Sequence, residues 1–335
     1  MLFVALLAPA YMAQNGNHFM YGELASSGGD GSVLMIDRAE IQETFGSQNQ
    51  MVVLLNKKYS EEQEIKIATK LADIDNVSMV QSYAVIKDAM GEMPIPDFLK
   101  NQFIGKNDYR MIMLVVDTGE VGEEDAAAFK VVDDVKSTMA NELDNGYYVI
   151  GNSVVAKDLK VINQQDYALS TGLALLFIFI ILLFTFKGLI LPLILALLIQ
   201  GSIWYAMTIP AFAGMTIVFL GYLIVSCFQM GCTIDYGILL SNNYLNYRKD
   251  NDKLTACKLA FKNSFSAITL SAAILMTVGY VVGLAGSIPA TSNIGLLLGI
   301  GATVSYVSMT FILPLFLVLF DKLIMWTTIK TKKSK

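Results

Sequence analysis

The chain has 335 residues, 54% of them hydrophobic, and a mean hydropathy of +0.53, which makes a membrane protein the first expectation. Its net charge of −5 hides a division. Residues 1–166 carry 13 Lys/Arg against 25 Asp/Glu, a net of −12, whereas residues 167–335 carry 11 against 4, a net of +7, too few and too scattered for a nucleic-acid-binding surface.

Residues 1–12 (MLFVALLAPAYM) are apolar but only about half a span long, and they lack the basic start of a signal peptide. They read as the outer end of a transmembrane helix whose beginning precedes this chain. Residues 15–166 then form an extracytoplasmic insertion, and the bundle has six spans with the first truncated. Inside the insertion a strand–helix–strand rhythm occurs twice: 51–55, 61–71 and 77–84, then 110–116, 124–143 and 146–150. Two such units close into an α+β ferredoxin-like sandwich, a fold that does not itself specify function. Between them GEMPIPDFLK (91–100), with two prolines, reads as loop or short helix.

Five apolar runs follow, at about 168–186, 189–207, 216–244, 264–285 and 294–323, each long enough to cross ~30 Å of hydrocarbon. Lys187 and Gly188 alone join the first two, which predicts a tight antiparallel hairpin. All 11 basic residues of this half fall at alternate junctions, while the loops 208–215 and 286–293 carry no charge. The positive-inside rule therefore puts the basic end in the cytoplasm and the acidic insertion outside. The expected plan is a truncated helix (1–13), a porter-like domain (14–166), a five-helix bundle (167–325) and a basic cytoplasmic tail (326–335).

Apart from tyrosine, Asp235 is the only acid or base in the interior of any of the five runs; Asp250, Asp252 and Asp321 lie at the boundary, as do all the basic residues. It sits about 11 residues, or ~16 Å, from the end of its run, close to the bilayer midplane. Burial there costs several kcal/mol unless the group is protonated, paired or hydrated, so an intramembrane carboxylate is a functional candidate by default. The plainer reading, a protonated Asp bridging two helices, gains only about 0.6 kcal/mol, and Asn would serve it as well. Tyr236 points about 100° around the helix from Asp235 and reads either as a partner for a facing carboxylate or as packing. Asn242 lies two turns from Asp235 on the same face, where it could hold water on an exit path or simply end a helix at the interface. Ser264 and Ser271 share a face of the next span and could each bond Asp235, although such residues often bond their own backbone. GYVVG (279–283) and GLLLG (295–299) read as helix packing. Cys227 and Cys232 have no third ligand nearby and read as packing residues, and His18 is the sole histidine, which removes zinc-site and His-relay chemistry. No cofactor is expected.

GCTIDYGILLSNNY (231–244) and the basic stretch that follows, YRKDNDKLTACKLAFKNS, resemble MMPL-type transporters of the resistance–nodulation–division (RND) superfamily. So do FKG (186–188), GNSVVAKDL (151–159) and LPLFLVLFDKL (313–323), in the same order along the chain. The resemblance implies a non-enzymatic secondary transporter in a bacterial plasma membrane. Such proteins have two halves, each with one span, a porter domain and five spans. They export lipids or other amphiphiles against proton entry, and Asp-Tyr pairs from both halves form the relay. Asp235 would bind the proton and Tyr236 would be its companion. This chain corresponds to the C-terminal half, so its expected partners are the N-terminal half or a second copy, membrane lipids and an amphiphilic substrate. A non-transporting scaffold and a secretion accessory of the same superfamily are the alternatives.

Overall fold

The structure, a computed structural model, describes residues 2–21, 37, 40, 44, 48–91, 93–105, 108–117, 124 and 126–327. The predicted basic tail lies outside the described residues from position 328 onward. Two compact units are present, Met1–Phe19 with Gln164–Lys335, and Met20–Asn163.

The chain opens with two short helices, α1 (Leu2–Ala5) and α2 (Leu7–Gln14). Pro9 cannot donate to the carbonyl of Ala5, which accounts for the break between them.

The second unit is built on an antiparallel sheet. Strand β1 (Gln48–Asn56) is followed by helix α3 (Glu61–Ala72) and β2 (Val77–Ser82), and then by α4 (Tyr83–Met90) and α5 (Asp97–Phe103). Strand β3 (Tyr109–Asp117), helix α6 (Ala126–Glu142) and β4 (Tyr147–Gly151) complete it. The spatial order is β2-β3-β1-β4, and β1 pairs antiparallel with both neighbours, Met51 facing Leu114 on one side and Gly151 on the other. Alternation is strict. Met51, Val53 and Leu55 of β1 and Ile112, Leu114 and Val116 of β3 are fully buried, against Ile67 and Leu71 of α3 and Val132, Val135 and Met139 of α6. Ser60 starts α3 with a reciprocal capping box to Gln63, as a Ser-x-x-Gln sequence favours. The strand expected over 77–84 stops at Ser82, whose hydroxyl accepts from the Val85 N–H and caps α4 instead. Within the core, fully buried Glu64 forms an ion pair with Arg110 Nε at 2.8 Å, a charge contact rather than an aligned hydrogen bond. Arg110 also donates to the carbonyl of Tyr59 at 2.6 Å, and Glu64 accepts from the N–H of Ala84.

Five long apolar helices dominate the rest. They are α7 (Asn152–Phe186), α8 (Ile190–Ala213), α9 (Phe219–Tyr247) after the short strand β5 (Thr216–Val218), α10 (Lys253–Ala285) and α11 (Pro289–Val307) with its continuation. A chain with five such helices is a multi-pass membrane protein. The last run is not the uniform helix expected over 294–323. A π-helical turn, Ser308–Ile312, interrupts it before α12 (Leu313–Leu319), and α13 (Asp321–Thr327) follows a break at Phe320. Pro314 lacks the N–H that would bond the Thr310 carbonyl, and its ring crowds that carbonyl, so the helix widens there. Helices α10 and α11 meet backbone to backbone. A Cβ on Gly279 would stand 2.5 Å from the Gly299 nitrogen, and one on Gly295 would stand 2.5 Å from the Gly283 nitrogen. Both G-xxx-G patterns thus serve the close approach expected of them.

Candidate functional site

Helix α9 carries the Asp-Tyr pair. Its 29 residues span about 43 Å at 1.5 Å per residue, and Asp235 lies about 24 Å from its start, near the middle. The two neighbours face different environments. Tyr236 is buried in the bundle core, whereas Asp235 is exposed on the outer surface of this unit. It shares that surface with Leu220, Ile224, Phe228, Gly231, Leu239 and Asn242, spaced as one helical face. Asp235 makes no hydrogen bond or ion pair with any described residue. Halfway along a membrane-spanning helix, the carboxylate is thus turned away from its own bundle.

The hydroxyl of Tyr236 completes no hydrogen bond with a described residue, although Ser271 of α10 stands near it. A cavity of about 10 Å³, close to the size of one water, lies beside it between α9, α10 and α11. Its polar walls are Gln229, Thr233, Tyr236 and Ser305. Gln229 Nε2 donates to Ser305 Oγ at 2.8 Å, and Thr233 Oγ1 lies 2.9 Å from the same oxygen. Gln229 Oε1 has no partner among the described residues, and Gly301 leaves the room for it: a Cβ there would stand 2.7 Å from that oxygen.

The remaining sequence candidates separate. Asn242 is exposed on the Asp235 face. Ser264 is buried and accepts from Asn243 Nδ2 at 2.8 Å, so it serves the α9–α10 contact and not Asp235. Ser271 stands by Tyr236. The structure brings Tyr236 and Ser271 together and leaves Asp235 and Asn242 on the outer face.

Sequence reasoning missed two polar groups. One is Gln229–Thr233–Ser305, for which the spacing of four between Gln229 and Thr233 was the available signal. The other closes the basic end of the bundle. Arg248 grips buried Asp321 with two bonds, Nε to Oδ1 at 2.9 Å and Nη2 to Oδ2 at 3.1 Å, and Tyr244 donates to Oδ1 at 2.7 Å. Burial opposes ionisation of Asp321, but the Arg248 and Tyr244 hydrogen bonds, with the charges of Arg248 and Lys253, outweigh it and hold the carboxyl below the usual carboxylate range.

A sequence profile of the MMPL family matches residues 30–335, and the chain belongs to that family of membrane transporters. ActII-3 of Streptomyces coelicolor is 29% identical over 189 residues, which make up 54% of this chain and 26% of that protein. The chain thus matches about a quarter of the relative's length.

Proposed function

We propose that the chain forms half of a proton-driven exporter of the RND type, moving lipids or other hydrophobic or amphiphilic compounds, with Asp235 as the proton-binding carboxylate. The observation that carries this reading is the unpaired, outward-facing position of Asp235 halfway along a membrane-spanning helix. A permanently charged group there is costly, and a neutral one needs no carboxylate. A group that alternates between the two fits the residue type, and each proton that enters carries ~2.3 kcal/mol per 100 mV.

The outer face of α9 then receives a second half, either the N-terminal half of the same protein or another copy, whose Asp-Tyr pair completes the relay. Tyr236 works from the inner side, where Gln229, Thr233, Ser271 and Ser305 give it polar neighbours. The unit Met20–Asn163 is read as a ferredoxin-like porter domain, a reading that the order β2-β3-β1-β4 of antiparallel strands supports. Helices α1 and α2 supply part of a sixth span, and the basic end faces the cytoplasm. The test is Asp235→Asn in cells that depend on the exporter. Export should stop while the amount of protein in the membrane stays at the wild-type level. Undiminished export would remove the proton role and favour a scaffold.

A further inference from the structure

A groove of about 730 Å³, within the range of small-molecule sites, runs along the basic end of the bundle between α10 and α12. Its floor is apolar, made by Leu254, Phe261, Phe311, Leu315 and Leu319, and two cations, Lys253 and Lys258, line its mouth. Neither lysine forms an ion pair with a described residue. Lys253 is near enough to act on Asp321, but that carboxylate already takes its hydrogen bonds from Arg248 and Tyr244.

The wall also holds an unused polar atom. Thr310, in the π turn, is 3% exposed and lines the groove, and its buried hydroxyl has no partner among the described residues. Thr185, Thr233, Thr277 and Thr303 all return their hydroxyls to the carbonyl four residues back, as helical threonines do. Thr310 makes no such bond in the widened turn.

We propose that this groove binds an anionic phospholipid of the surrounding leaflet, with the phosphate between Lys253 and Lys258 and an acyl chain along the apolar floor. Charge complementarity selects the lipid class. Two free ammonium groups above an apolar trough at the membrane boundary match an anionic headgroup joined to a hydrocarbon tail, and basic pockets between spanning helices bind such headgroups. The site is remote from Asp235 and does not depend on the proton reading.

Native mass spectrometry of the purified full-length chain, titrated with phosphatidylglycerol and with phosphatidylcholine of identical acyl chains, tests the proposal. Each lysine near a membrane surface contributes about a fivefold preference for anionic lipid, so wild type should favour phosphatidylglycerol about 30-fold through the pair. Lys253→Ala/Lys258→Ala should remove that preference, and Lys253→Arg/Lys258→Arg should keep it. Lys249→Ala/Lys322→Ala, with the same charge lost outside the groove, should leave it intact. Phosphatidylglycerol carrying a photoreactive acyl chain should label 254–261 or 310–319. Equal binding of the two lipids, equal loss in both alanine pairs, labelling elsewhere, or competition by inorganic phosphate alone would each overturn it.

Discussion

Replacing Arg248 with alanine should loosen the basic end of the bundle by a predictable amount. The substitution removes both bonds to Asp321 and a third, from Nη1 to the Asn251 carbonyl at 3.0 Å. Asp321, 5% exposed in the intact bundle, would keep Tyr244 as its one strong donor. Stripping the partner from a fully buried ion pair costs about 3–5 kcal/mol, and an exposed pair is worth about 0–1 kcal/mol. The Arg248 side chain is 28% exposed and its partner 6%, so the cost should fall between these limits, at about 2–3 kcal/mol. For a unit of this size that lowers Tm by about 4–12 °C. Thermal unfolding of the detergent-solubilised chain checks it, with Asp321→Asn added to Arg248→Ala recovering part of the loss because no buried charge is then left alone. The pH dependence has a fixed sign. Asp321 is held below its unfolded value, so its stabilisation is fully present above that value, about 3.9, and fades as pH falls through the lower folded value. In Arg248→Ala the lone, buried Asp321 carboxyl takes up a proton more readily than the unfolded chain does, so the gap to wild type should be widest near neutral pH and narrow steadily on acidification. A Tm within 1–2 °C of wild type, about the effect of an exposed pair, would refute the assignment of a buried lock.

Gly295→Val should separate α10 from α11, because its Cβ meets backbone rather than a movable side chain; a loss of about 1–3 kcal/mol is expected in the same assay. Gly172→Ala, where a Cβ meets nothing within 4 Å, should be neutral or slightly stabilising. In the other unit, Arg110→Leu leaves fully buried Glu64 without its cation and should cost about 3–5 kcal/mol, read as faster limited proteolysis across residues 48–151. Adding Glu64→Leu should return most of that resistance, and failure to do so would mean that the pair's geometry matters more than its charge.

Much of this architecture is legible in the sequence because the membrane enforces a simple rule: about 20 apolar residues make a span. The strands are legible for a related reason, since one-sided burial imposes the alternation seen at Met51, Val53 and Leu55. Element ends were harder. Thr216 and its neighbours read as helix but form a short strand before Phe219, and the helix expected to end at residue 207 continues through Pro210 to Ala213. Apolar composition marks a span without marking its caps. Periodicity also does not reveal the π turn at Ser308–Ile312, which arises from a steric conflict between Pro314 and one carbonyl. At the site, Asp235 was conspicuous as a lone acid in an apolar run. Which way it faces was not readable, because two residues 100° apart on a helix that is apolar all round carry no signal for inside and outside. The pairing of Ser264 with Asn243 follows from the same limit, as does the Arg248–Asp321 lock, whose members lie 73 residues apart.

As the proposed proton site, Asp235 should take up and release the coupling proton. Inside-out membrane vesicles containing the protein, energised to hold an acidic lumen and followed with a pH-sensitive dye, measure this directly when an amphiphilic substrate is added. Wild type should dissipate the gradient on substrate addition, Asp235→Glu should retain part of that flux, and Asp235→Asn should show none at equal protein level. Substrate-dependent proton flux that survives Asp235→Asn would contradict the account.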